Sequence, residues 1–258
     1  MNKLEEIVAH KRQELAEAKR VRPLAELERE LKLRTAPRGF AAAIRRPGEL
    51  SLIAEIKKAS PSAGPIRPEA DVVEVARTYA RAGARAISVL TDSRFFSGSL
   101  KDLTAVRENL SLPVLRKDFL LEEYHVVEAA AAGADAVLLI AAILDPAVLK
   151  RLLTLARDLS LDALVEVHSE PELQQALEAQ ARVIGVNNRD LGSLQVDLKT
   201  TQQLMKKIPG THVRVSESGI RSRSDVEFVQ AQGADAILVG EELMSSQDPA
   251  AKIKELMG

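Results

Sequence analysis

The chain contains no cysteine and no tryptophan among its 258 residues, and only 3% are aromatic. Without cysteine there is neither a disulfide framework nor a thiolate zinc site. The four histidines, at 10, 125, 168 and 212, fall at no spacing that suits a metal, so no metal site is expected. Net charge is also missing: 36 Lys and Arg stand against 37 Asp and Glu, interspersed, leaving −1. That excludes the basic field on which general nucleic-acid or membrane-surface binding depends. No apolar run approaches the ~20 residues of a membrane span. Residues 1–20 are charged throughout and lack the apolar stretch of a secretory signal. A cytoplasmic address is therefore expected. What is abundant is apolar side chain, 46% of the total, enough for a sizeable core. The length suits one (β/α)8 barrel or two small domains.

A repeat decides between them. Ala82-Gly83-Ala84, Ala132-Gly133-Ala134 and Gln232-Gly233-Ala234 each end a helix-period segment and precede a short β-branched apolar run. Glycine there suits the position just after a helix, where φ turns positive. The spacings, 50 and then 100 residues, fit repeated βα units of roughly 25–30 residues. Eight strand candidates follow, at 51–57, 86–91, 113–117, 136–140, 162–167, 183–187, 212–216 and 236–239. Helical patterns separate them, for instance at 69–82, 122–132, 146–159, 171–180 and 223–232. The strands are nearly all apolar, as in a parallel sheet covered on both faces. Eight units in one chain favour a closed (β/α)8 TIM barrel, and no G-x-G-x-x-G follows the first strand to support a dinucleotide fold. The barrel is assigned to 49–258. Residues 1–48 form an N-terminal helical extension packed on it, with two amphipathic helices and a short third at 37–44. The extension could serve as a bottom plug or as a cap over the mouth.

In a barrel, polar residues at the C-terminal ends of strands converge on one cup. Strand one ends with Glu55 and Lys57, two apart and therefore on one face. An apolar interior tolerates both charges only if they meet at its polar rim. Strand three ends in Arg116-Lys117-Asp118, and strand five carries Glu166 between valines, then His168. Strand six ends in Asn187-Asn188-Arg189, strand seven in Ser216-Glu217, strand eight in Gly240-Glu241. Each alone reads equally well as a rim salt bridge; the six together form an acid–base set. Crowding and burial can draw a lysine down and a glutamate up toward working pH. His168 is predicted to point outward or lie at the rim.

Ser218-Gly219 and Gly240-Glu241 open helical segments after strands seven and eight, where barrels often bind phosphate. Glycine lets the backbone approach an anion, and exposed N–H groups at a helix start bind it. Glu241 can contribute there only its N–H, with its side chain turned away. Phe95 and Phe96 follow strand two, and Phe119 follows strand three. At the mouth of a polar cup, at least one is expected to wall a flat apolar group.

The motifs Ala54-Glu55-Ile56-Lys57-Lys58-Ala59-Ser60-Pro61-Ser62, Phe95-Phe96-Ser97-Gly98-Ser99, Leu115-Arg116-Lys117-Asp118-Phe119, Val165-Glu166-Val167-His168, Gly185-Val186-Asn187-Asn188-Arg189-Asp190-Leu191 and Ser216-Glu217-Ser218-Gly219-Ile220 resemble, in order, those of the indole-3-glycerol phosphate synthases. The resemblance spans the whole chain. It implies a lyase of tryptophan biosynthesis that closes an indole ring on 1-(2-carboxyphenylamino)-1-deoxyribulose 5-phosphate with loss of CO2 and water. By the same resemblance, Lys117 is the general acid to the ketone oxygen and Glu166 its acidic partner. Glu55 and Lys57 serve the later dehydration, and Lys57 also reaches the carboxylate or phosphate. Asn187, Arg189 and Glu217 hold sugar hydroxyls and carboxylate. Ser60, Ser218, Gly219, Gly240 and Glu241 belong to the substrate and phosphate grip. Pro61, Phe96, Phe119, Leu138 and Leu191 line the anthranilate pocket. No cofactor or metal is implied. The expected partner is a phosphorylated small molecule, with no nucleic acid or membrane. The chain would act as a monomer or weak homo-oligomer, with association with other tryptophan-pathway enzymes left open. Ser216, where many members carry Ala, and Glu241-Glu242, where small residues are common, depart from the pattern.

Three rivals are weaker. A phosphoribosylanthranilate isomerase would use a Cys–Asp pair, and there is no Cys. A Schiff-base enzyme would use Lys117 as nucleophile, which borohydride trapping would reveal. A non-catalytic phosphosugar-binding protein should have lost one of Glu55, Lys57, Lys117 or Glu166, and all four are present.

Overall fold

The computed structural model describes residues 3–190 and 192–258. Eight parallel strands close into a barrel: β1 (Ser51–Ile56), β2 (Ala86–Leu90), β3 (Val114–Lys117), β4 (Ala136–Ile140), β5 (Asp162–Val167), β6 (Val183–Asn187), β7 (Val213–Glu217) and β8 (Ala236–Val239). Ser51 of β1 pairs with Ala236 of β8, and Ile53 with Ala86 of β2. The glycines that mark the repeat have φ of 105° at Gly83, 91° at Gly133 and 97° at Gly233, the left-handed form that ends a helix without a Cβ clash. Strand seven begins and ends one residue later than its sequence pattern predicts. Asn187 pairs with Glu217, and that ladder draws the glutamate into the strand.

Alternation along each strand sorts the side chains into two layers. Leu52, Ala54, Val165, Val167, Ile184, Val186, Ile237 and Val239 face the helices. Ile53, Leu115, Leu164, Val183, Val215 and Leu238 fill the barrel interior. The two-residue period then puts Glu55, Lys117, Glu166, Gly185, Asn187, Glu217 and Gly240 on the inward side at the C-terminal ends. A strand that must bury one face against helices and fill a barrel with the other is largely apolar, and on its inward face charge begins only at the C-terminal end.

The outer helices are α4 (Val72–Arg81) after β1, α5 (Ser93–Phe96) and α6 (Leu100–Asn109) after β2, α7 (Glu123–Ala131) after β3 and α8 (Pro146–Asp158) after β4. They continue with α9 (Glu170–Glu178) after β5, α10 (Lys199–Leu204) after β6, α11 (Arg223–Ala231) after β7, and α12 (Glu241–Ser245) with α13 (Pro249–Met257) after β8. Asp71, Asp92 and Ser99 cap α4, α5 and α6 through their side chains, and Ser222 with Asp225 forms a reciprocal box at α11. A two-residue antiparallel ribbon, Ala59–Ser60 with Gly64–Pro65, stands above β1 and touches α5. No helix among the described residues is long and apolar enough to cross a membrane.

The N-terminal segment engages both ends of the barrel. In α1 (Lys3–Val21) the buried stripe is Ile7, Lys11 and Leu15, so a lysine stands in an otherwise apolar row. Its Nζ lies 2.8 Å from Asp92 after β2, 2.9 Å from Asp118 after β3 and 2.7 Å from Glu14. Asp118 also takes Thr91 Oγ1 at 2.6 Å and Arg116 Nη2 at 3.1 Å. A buried ammonium needs this many acceptors to offset its lost hydration. Helix α2 (Leu24–Leu31) lies along α7. Helix α3 (Phe40–Ile44) closes the bottom, its Phe40 and Ile44 fully buried against Ala86, Ala136 and Ala236 at the starts of β2, β4 and β8. Those small inward residues leave room that the plug fills. Asp135 accepts from Arg38 N at 2.6 Å, and Asp162 from Ala41 N at 2.8 Å, which ties the plug to the strand starts.

Candidate active site

The inward strand ends meet around one ammonium. Lys117 Nζ lies 2.9 Å from Glu166 Oε2 and 2.6 Å from Glu217 Oε2. Glu55 stands beside them, its Oε1 3.5 Å from Lys57 Nζ. Burial alone would lower the Lys117 pKa, but the charges of Glu166, Glu217 and Glu55 outweigh it and hold the ammonium well above the ordinary lysine range. The crowding that could have drawn a lysine down therefore acts in the opposite direction, because carboxylates outnumber the ammonium. Burial opposes ionisation of Glu166, yet Lys117 and His168 outweigh it and keep that carboxylate well below its usual range. Glu217 is pushed up to about 7, first by burial and further by repulsion from Glu166 and Glu55, against the attraction of Lys117. The cluster thus holds one persistent ammonium, one persistent carboxylate and one carboxyl pushed toward neutrality.

Glycines make the space. A Cβ on Gly185 would fall 2.1 Å from Glu217 Oε1, and one on Gly240 would fall 2.4 Å from Glu55 Oε1. Glycine inside a strand often marks such a close approach. Glu217 Oε1, packed over Gly185, is buried without a hydrogen-bond partner. The turn after β7 is bent left-handed at two successive residues, Ser218 with φ 63° and Gly219 with φ 81°. For Ser218 that conformation costs roughly 1–2 kcal/mol. Buried Asn188 holds it there, its Nδ2 donating to Glu217 O at 2.9 Å and Ser218 O at 3.1 Å. Thr201 N and Oγ1 in turn donate to Asn188 Oδ1 at 3.0 and 2.8 Å.

Two adjoining cavities open at this end of the barrel. One, of about 120 Å³, has Glu55, Lys57, Lys117, Glu166, Asn187 and Glu217 on its polar side. Its apolar side is Leu90, Phe96, Phe119, Leu138, Ile140 and Leu238. The Phe96 and Phe119 rings lie 6.1 Å apart. The other cavity, of about 50 Å³, lies between Ser218-Gly219-Ile220 and Val239-Gly240-Glu241. Lys57 and Arg189 border both. A polar acid–base cup with one flat apolar wall and an anion-sized recess suits a phosphorylated substrate bearing an aromatic ring.

A family model described as indole-3-glycerol phosphate synthase matches residues 4–256. The indole-3-glycerol phosphate synthase of Albidiferax ferrireducens is 47% identical over 256 residues, covering 98% of this chain and 97% of its own. That of a Roseiflexus species is 48% identical over 263 residues, covering 99% and 98%. The chain belongs to the indole-3-glycerol phosphate synthase family. A solved 3-hexulose-6-phosphate synthase from Salmonella typhimurium superposes with a TM-score of 0.65 over 81% of this chain and 97% of its own, at 16% identity, a likeness of fold alone.

Of the residues that the family resemblance singles out, Lys117, Glu166, Glu55, Lys57, Asn187 and Glu217 share the larger cavity. Arg189, Ser218, Phe96, Phe119 and Leu138 border it too. Gly219, Gly240 and Glu241 line the recess. Glu241 does not turn away from the site, because its Oε2 sits 3.4 Å from Arg189 Nη2 across the mouth. Ser60 and Pro61 do not line either cavity. Ser60 Oγ accepts from Ala63 N at 3.1 Å and so belongs to the ribbon turn. Leu191 lies outside the described residues. Phe95 and Phe96 divide: Phe96 lines the cup, while Phe95 faces α1, with His10 5.8 Å away and Lys3 Nζ 4.9 Å from its ring.

His168 lies at the rim, as expected, and lines neither cavity, but its ring reaches the site's glutamate. Its Nε2 lies 3.3 Å from Glu166 Oε1. The residue lies one position past the end of β5, where the chain bends toward α9. The roles of Asn188 and the buried Lys11 could not be found from the sequence. Asn188 acts outside the barrel interior, and Lys11 looks like any charged residue of an amphipathic helix until its partners from two distant loops are known.

Proposed function

We propose that this site converts 1-(2-carboxyphenylamino)-1-deoxyribulose 5-phosphate into indole-3-glycerol phosphate, CO2 and water. The observation that carries it is the Lys117 ammonium held between Glu166 and Glu217 beside an apolar wall of Phe96, Phe119 and Leu138. The aryl carbon bearing the carboxylate attacks the ketone carbon, and the oxygen gains negative charge. Lys117 donates a proton to it. A high-pKa ammonium suffices, because the developing alkoxide is a strong base. Glu166 meets the positive charge that appears on the ring nitrogen. That cationic nitrogen accepts the electron pair released as CO2 leaves, so no cofactor is required. The new hydroxyl then departs as water, protonated by Lys57, while Glu55 accepts the proton lost from the neighbouring carbon. From the substrate carboxylate, the balance is uptake of one proton and release of CO2 and water.

Asn187, Arg189 and Glu217 would hold the sugar hydroxyls and the carboxylate. The phosphate would rest in the recess on the N–H groups of Ser218, Gly219, Gly240 and Glu241, with Lys57 adding charge. Ser60 would belong to the substrate grip, and Pro61 and Leu191 to the anthranilate pocket. The enzyme would act in the cytoplasm as a monomer or weak homo-oligomer, free of metal, cofactor, nucleic acid and membrane. Indole fluorescence appearing when the purified protein meets the carboxyphenylamino substrate is the direct test. No fluorescence gain over a heat-inactivated control would reject the activity.

A further inference from the structure

We propose that His168 is a positioning residue for ring closure: clamped by Glu172, its ring fixes the outer oxygen of Glu166 while Lys117 turns to the substrate. The inference rests on the function assigned above to Glu166. Each oxygen of that carboxylate faces one cationic group, Oε2 the Lys117 ammonium at 2.9 Å and Oε1 the His168 Nε2 at 3.3 Å. The far side of the ring is fixed, with Nδ1 3.0 Å from Glu172 Oε2. Glu172 is fixed in turn, accepting from His168 N at 2.8 Å and from Ser169 Oγ at 2.7 Å. It lies in the first turn of α9, where the helix dipole favours a carboxylate. Glu172, His168, Glu166 and Lys117 therefore form one connected row from the rim to the centre of the cup.

The row answers a problem set by the chemistry. Once Lys117 gives its proton to the ketone oxygen, Glu166 loses its nearest positive charge, and a buried carboxylate left alone is costly. The imidazole is the remaining cation within reach. Its Nε2 is buried and makes no aligned hydrogen bond, so it has a free donor to tighten onto Oε1 as Lys117 leaves. Burial would lower the ring's pKa, but the carboxylates of Glu166 and Glu172 beside it raise it to about 10, which keeps the imidazolium through the neutral range. The groups facing the ring are Glu166 on its own strand, Glu172 from α9 and Asp190 from the loop after β6. All are acidic.

Steady-state kinetics across pH on H168A, H168Q and E172Q test this, alongside ring-nitrogen NMR of His168 in the substrate-free parent and in E166Q. H168A should lower kcat about tenfold with KM within about twofold. Losing the cation raises the Glu166 pKa, so the acid limb of kcat should move to higher pH. H168Q, which restores an N–H near Nε2 but no charge, should recover part of kcat and leave the limb displaced. E172Q should lower the imidazole pKa and draw the alkaline limb down. In E166Q the His168 titration should fall. H168A with kcat within twofold and an unmoved acid limb would overturn the proposal, as would loss of kcat tracking only a lower Tm. An unchanged His168 titration in E166Q would also overturn it. A parent that makes no indole product while that titration still shifts would instead remove the function assigned to the site and leave the His168–Glu166 pairing standing.

Discussion

Replacing Lys117 with methionine should separate the catalytic and electrostatic consequences of a single ammonium. Methionine matches the length and apolar stem of lysine, so the cup keeps its volume. What disappears is the charge 2.9 Å from Glu166 and 2.6 Å from Glu217, with both carboxylates buried. Breaking a buried pair by removing one partner typically costs about 3–5 kcal/mol. At ~2–4 °C per kcal/mol for a chain of this size, Tm should fall by roughly 6–20 °C at a pH where both glutamates must ionise. The deficit should depend on pH. In the parent, Glu166 is depressed below 4.5 and contributes stability above that value, lost only as pH falls through its folded pKa. In K117M both carboxyls are raised, so the variant's stability is retained below about 4.5 and lost as pH rises through the folded values. Melts near pH 5 and near pH 8 should therefore diverge, with the larger gap at the alkaline end. Ring closure should fall by ~10²–10⁴-fold at either pH. A gap in Tm that is the same at both pH values would refute the electrostatic reasoning, and kcat within threefold of the parent would remove Lys117 from the chemistry.

Three further variants or ligands probe other parts of the site. E166Q keeps size and one acceptor but loses charge, so kcat and kcat/KM should fall together with KM nearly unchanged; a raised KM with intact kcat would make Glu166 a binding residue instead. G185A should push Glu217 aside, since the new Cβ would meet Oε1 at 2.1 Å, and activity should drop about 10²-fold through misplacement; a crystal structure with Glu217 unmoved would contradict this. Sulfate soaked into crystals should settle between the Ser218-Gly219 and Gly240-Glu241 N–H groups, and an anion found only elsewhere in the cup would reject the phosphate recess.

Much of this was legible before the fold was known. The glycines at 83, 133 and 233 announced the repeat because only a left-handed residue ends those helices cheaply. Charge at the last inward position of β1, β3, β5 and β7 stood out because the inward residues before it are apolar. Three features stayed hidden for physical reasons. The direction of the Lys117 shift depends on how many carboxylates surround it, a count that spacing along one strand does not contain. The attachment of α1 depends on Lys11 meeting Asp92 and Asp118, which are far from it in sequence and near it only after the barrel closes. The turn at Ser218 depends on Asn188, a side chain on the other parity of a neighbouring strand. The rim position of His168 was legible, but its contact with Glu166 was not, because the chain bends just after β5.

The seam between β1 and β8 has a consequence for how the molecule comes into being. On one of its two edges β1 pairs, through Ser51 to Ala54, with Ala236 to Val239, near the other end of the chain. Until those residues join, β1 and β7 present open edges, the form of sheet most exposed to wrong pairing. Contacts this distant in sequence also form slowly, because a long loop must be ordered before they reward it. The same closing step brings Gly240 against the Glu55 carboxylate, where no Cβ would fit. Sealing the sheet and completing the catalytic cup are thus a single event, and a chain stalled before its eighth strand has neither.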